Sequence, residues 1–94
     1  MNIYYTISNN GDGSVSAHFY ESYELAELAE EWEFEAFGDG WAESSIGCFE
    51  GSCDRLILAK RVLEDMEAEL TCYDNEDPKY DNLARIASKV KELT

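Results

Sequence analysis

IYYTISNNGDGSVSAHFYES, residues 3–22, decides the fold. It opens with a β-type run in which Ile3, Tyr5 and Ile7 share one face. It closes with another in which Val15, Ala17 and Phe19 share a face. NNGDG lies between them, a turn signal rich in residues that accept positive φ. The pattern predicts a β-hairpin. Tyr4, His18 and Tyr20 are expected on its outward face.

Working outward, Ser22 is a candidate N-cap. A helix is predicted over residues 23–37, since Leu25, Leu28, Ala29, Trp32 and Ala36 fall on one stripe at helical spacing. GDG at 38–40 is its stop signal. WAESSIGCFE, residues 41–50, reads as a third strand. RLILAKRVLEDMEAEL, residues 55–70, reads as a helix with Leu56, Ala59, Leu63, Met66 and Leu70 inward, though its RLILA start also fits a short strand. Lys60–Glu64 and Arg61–Asp65 have ion-pair spacing on it. Asp77 and Pro78 open a last helix carrying Tyr80, Leu83, Ile86, Ala87, Val90 and Leu93 on one side. The expected fold is α+β: a small antiparallel three-stranded sheet with helices packed on it, order ββαβαα, in one acidic domain over residues 1–94.

A chain of 94 residues buries one modest core, so its stability margin is thin. The formal charge is −14. The first 54 residues carry −12 with no Lys or Arg, and the remainder carries −2. Phosphates would be repelled, which excludes direct nucleic-acid binding and contact with anionic membranes. The start, MNIYYTISNNGDGS, has no basic n-region and no long apolar run. No signal peptide or membrane span is expected, and the chain is expected in the cytoplasm. Cys48, Cys53 and Cys72 have no paired spacing and are expected as reduced, partly buried thiols. His18, the only histidine, completes no zinc pattern with them, so neither a metal nor a cofactor is expected. No nucleophile, base and orienting group stand out, and the reading is not that of an enzyme.

Charge is densest in residues 21–35, where Glu21, Glu24, Glu27, Glu30, Glu31, Glu33 and Glu35 follow one another without a base. At ~1.5 Å rise per residue that is roughly one charge per 3 Å. A DNA strand carries a phosphate about every 3.4 Å. The crowding is costly: i,i+3 and i,i+4 like-charge pairs at about 0.2–0.5 kcal/mol each destabilise the helix by roughly 1–3 kcal/mol. A chain needing only solubility would alternate Glu with Lys, although acidity alone also improves solubility.

The candidate partner-binding residues are therefore Glu24, Glu27, Glu30, Glu31 and Glu35, with Asp39 and Glu43 flanking. Tyr23, Phe34 and Trp41 are the aromatic contacts. Tyr23 and Phe34 lie opposite Leu25 on the helix, either exposed as interface anchors or covered by the C-terminal helices. The expected partner is a basic nucleic-acid-binding protein. The alternative is a structural or regulatory interaction module, homodimeric through an exposed strand or the C-terminal helices, whose acidity serves solubility.

YYTISNNGDGSVSAHFYES running into an Ala/Glu-rich helix resembles small acidic phage-encoded proteins of the anti-CRISPR and anti-restriction kind, which act as nucleic-acid mimics. The resemblance covers the first half of the chain and carries over no site residues. It implies an inhibitor acting in the cytoplasm of a host cell. The part from Arg55 resembles no family.

Overall fold

A computed structural model describes residues 1–9, 13–37 and 46–94. The chain is α+β, with a four-stranded mixed sheet and three helices. Strand β1 (Asn2–Asn9) pairs antiparallel with β2 (Val15–Tyr20), Tyr5 facing Phe19 and Thr6 facing His18. Helix α1 (Tyr23–Phe37) covers the predicted span, and Ser22 Oγ accepts the Leu25 N–H at 3.2 Å, as an N-cap does. Of the NNGDG turn, residues 9–13, positions 10–12 lie outside the described residues, as does the GDG stop at 38–40; Gly13 has a φ of 90°.

Strand β3 (Gly47–Glu50) supplies the later half of the expected third strand and pairs antiparallel with β1. The sheet gains a fourth strand, β4 (Leu56–Ile57), which lies parallel to β2 and gives the order β3-β1-β2-β4. This corrects the three-stranded antiparallel expectation. Two residues are too few for a periodicity, so the RLILA run reads as helix or strand alike. The pairing comes from tertiary structure: residues 21–55, α1 and β3 among them, separate the two parallel neighbours, well beyond the dozen that a parallel connection requires. Helix α2 (Ala59–Leu70) starts directly after it, and α3 (Tyr80–Glu92) follows. The α3 N-cap is Lys79 rather than Asp77, two residues beyond the predicted cap, and Asp77 Oδ1 instead accepts the Lys79 N–H at 2.9 Å.

The sheet turns the opposite face to the helices from the one expected. Tyr20 is buried in the main core, with Tyr4 and Ile57 packed against it, and His18 is half-buried. On the other face Ile7 and Val15 are exposed, whereas Ile3 is fully buried. Alternation alone favours the aliphatic set, but a tyrosine buries well when its hydroxyl finds a partner. Tyr20 has one in the buried Thr6 hydroxyl. Leu25, Ala26, Leu28, Ala29, Trp32 and Ala36 join α1 to a single core with α2 and α3. Leu25, Leu83, Ile86 and Val90 are among its largest fully buried side chains. Each contributes about 1.5–3 kcal/mol of burial.

Two polar ties hold α2 against its neighbours. Glu21 Oε1 accepts the Ala59 N–H at 2.9 Å. It thereby satisfies an orphan donor at the α2 N-terminus and complements its dipole. Trp32 Nε1 donates to Glu69 Oε2 at 2.9 Å, bridging α1 and α2. Of the two candidate pairs on α2, Arg61–Asp65 closes at 3.4 Å, and it is the only one of the two among the ion pairs of the described residues.

Candidate acidic interface on α1

Helical spacing sorts the α1 carboxylates into groups with different surroundings. Tyr23, Glu24, Glu27 and Phe34 are exposed, Phe34 by 57% and Tyr23 by 49%. Glu30, Glu31 and Glu35 are half-buried along the borders of that stripe. Turning 100° per residue, these seven fall within one arc, opposite the buried Leu25, Leu28, Ala29 and Trp32. Asp39, Trp41 and Glu43 lie outside the described residues.

Tyr23 and Phe34 are thus not covered by the C-terminal helices, but α3 does reach one border of the stripe. Arg85 Nη2 donates to Glu31 Oε1 at 2.9 Å, and Asn82 Nδ2 to Glu35 Oε1 at 3.3 Å. Lys79 Nζ donates to the Ala36 carbonyl at 3.4 Å, a cation at the otherwise base-free C-terminal end of α1. The sequence shows no base within α1, yet the fold brings Arg85 to it. Asn82 and Arg85 are i,i+3 on α3, so they share a side, but nothing in the chain says which element that side meets. Glu24 and Glu27 make no side-chain hydrogen bond or ion pair among the described residues.

Glu21 and Glu33 leave the flank altogether. Glu21 caps α2. Glu33 lines a groove of about 220 Å³ between β2, α1, β4 and α2, together with His18, Tyr20, Trp32, Asp65 and Glu69. Burial lifts the Glu33 carboxyl above its ordinary value, while His18 pulls it back and Glu69 lifts it further. Burial also lifts Glu30, and repulsion from Glu33 and Glu27 adds to it. Burial, with the charge of Glu33 behind it, pushes the Tyr20 phenol up to about 12 despite the Thr6 hydrogen bond. His18 and Tyr20, expected on the outward face of the hairpin, therefore belong to the packed side.

The thiols of Cys48 and Cys72 are exposed and that of Cys53 is half-buried, all three free. Cys53 is partly buried as expected, and the exposure of Cys48 and Cys72 departs from that expectation. Among the described residues, no group of three or more His, Cys, Asp or Glu is placed to hold a metal ion. None of the described helices is long and apolar enough to cross a membrane. Comparison of the chain with protein-family models, with curated proteins and with solved structures returned no match.

Proposed function

We propose that this protein is an inhibitory binding protein that lays the exposed flank of α1 on a basic, nucleic-acid-binding surface of another protein and occupies it. The observation that carries the reading is the pair Glu24 and Glu27, exposed and unpaired among the described residues, beside the exposed rings of Tyr23 and Phe34. Carboxylates draw a cationic groove in from a distance, and aromatic rings among them supply the desolvated contacts that slow dissociation. The flank centres on the exposed Glu24 and Glu27, because Arg85 and Asn82 already engage Glu31 and Glu35. Asp39, Trp41 and Glu43 are proposed as its continuation. The setting, a mobile-element protein acting on a host defence or nucleic-acid-handling enzyme in the cytoplasm, rests on the resemblance of the N-terminal half alone.

The test is capture from a cell lysate on the immobilised protein at low salt, with elution by rising salt. Nucleic-acid-binding proteins should be retained and released as salt rises. The triple variant E24Q/E27Q/E30Q should keep its fold and lose at least about tenfold in retention, each lost charge weakening a screened attraction. Equal retention by the variant contradicts the reading.

A further inference from the structure

The groove between β2, α1, β4 and α2 combines an apolar floor with acidic walls. Tyr20, Trp32 and Met66, all nearly buried, belong to the floor. Glu33 from α1 and Asp65 and Glu69 from α2 bring three carboxylates, and no lysine or arginine lines the groove among the described residues. Asp65 is exposed and meets Arg61 at 3.4 Å. Glu69 accepts the Trp32 N–H with Oε2, which fixes its carboxylate while Oε1 takes no part in that bond. Glu33 is half-buried, yet no hydrogen bond or ion pair among the described residues ends on it. Burial already lifts its pKa. A half-buried charge without a counter-ion is costly, and a cation brought to it relieves that cost.

We propose that this groove receives an arginine side chain of the protein on which α1 docks. That the arginine comes from this protein rests on the α1 reading; the groove's preference for a guanidinium does not. Charge complementarity selects a cation. The volume of about 220 Å³ falls below the ~300–1,000 Å³ of small-molecule pockets, so the groove suits one side chain rather than a whole metabolite. Among the described residues no three His, Cys, Asp or Glu are placed to hold a metal ion, so a bare ion is not the match. Arginine fits better than lysine. Its planar fork has donors for both Glu33 and Glu69, it lies flat against aromatic rings, and it gives up its hydration more readily than an ammonium. The groove also continues the acidic flank. Glu30 is within electrostatic reach of Glu27 on one side and Glu33 on the other, and α1 has no base to interrupt them.

The test titrates the isotope-labelled full chain with Nα-acetyl-arginine amide and follows the Trp32 indole N–H and the His18 ring by NMR. Both should shift saturably, with a dissociation constant of order 1–10 mM for so small a probe. Nα-acetyl-lysine amide should bind at least about threefold more weakly. Nα-acetyl-citrulline amide, the neutral isostere, should not saturate. Glu33→Gln should weaken arginine amide at least about fivefold with circular dichroism unchanged. Glu69→Gln keeps an oxygen acceptor for the Trp32 N–H and should weaken it too. Glu67→Gln, on the same helix but outside the groove, should not. Absence of a saturable shift, equal binding of the lysine or citrulline amide, or full binding by Glu33→Gln overturns the proposal. Capture from lysate separates the two readings. Intact capture by a chain that does not bind arginine amide removes the groove alone; failed capture by a chain that does bind it removes the α1 reading, and with it the docked protein as the arginine's source.

Discussion

Glu27→Gln removes one carboxylate from the middle of the exposed stripe and should make the protein more stable. Glu27 has Glu24 three residues before it, Glu30 three after and Glu31 four after. It has no ion pair among the described residues to lose. Three like-charge contacts at about 0.2–0.5 kcal/mol each amount to roughly 0.6–1.5 kcal/mol. Gln and Glu have similar helix propensity, so the backbone contributes little. For a domain of this size the gain raises Tm by about 3–12 °C. Glu31→Gln is the internal control. It relieves Glu27 and Glu35 but loses the Arg85 pair, which is about half-exposed on both sides and so is worth at most about 1 kcal/mol. The two effects nearly cancel, and Tm should move by less than about 4 °C. Thermal melts at 20 mM and 1 M salt read both variants. The Glu27→Gln gain should be present at low salt and fade at 1 M, where the screening length is about 3 Å. A loss of stability at low salt would refute the reasoning. So would a gain that persists at 1 M, or equal gains from both variants.

Acidification should stabilise the fold over part of its range. Glu33 and Glu30 have folded pKa values raised above 4.5, chiefly by burial. The folded state then holds more protons than the unfolded one between the two values. These groups therefore add stability as pH falls from 7 through the folded pKa, and the gain is complete below the unfolded value. The urea midpoint should be higher near pH 5 than at pH 7, and Glu33→Gln should flatten the difference; a lower midpoint at pH 5 contradicts this. Trp32→Phe removes the donor to Glu69 and leaves a void beside it, at a cost of about 2–4 kcal/mol, read as a drop in urea midpoint. Gly47→Ala drives a methyl group into the Tyr5 ring and should cost about 1–3 kcal/mol, partly restored by Tyr5→Leu in a double-mutant cycle.

The helices were legible because each carries a long 3.6-residue pattern. α1 runs over the predicted residues, and its stripe from Leu25 to Ala36 is buried. The hairpin pairing was legible as well, but not which way it faces. Both faces of β1 and β2 carry large side chains, and only packing against α1 decides that Tyr20 goes in and Ile7 stays out. β4 was hidden because two residues cannot show a period. On the acidic helix, spacing alone grouped Tyr23, Phe34 and the carboxylates around Glu27 on one side. It could not show that Glu21 caps α2 or that Arg85 reaches Glu31, since both contacts join residues 38 or more positions apart. Charge counted along the chain overstates the free anions, because the fold has already committed some of them.

Displacement by DNA tests the acidic flank most directly. A protein captured at low salt is titrated with duplex DNA while release of the labelled acidic chain is followed. If α1 occupies a nucleic-acid groove, DNA should displace the chain competitively, and E24Q/E27Q/E30Q should be displaced at least about tenfold more easily, with a smaller dependence on salt. A captured protein that binds DNA and the acidic chain together, with neither weakening the other, would contradict it.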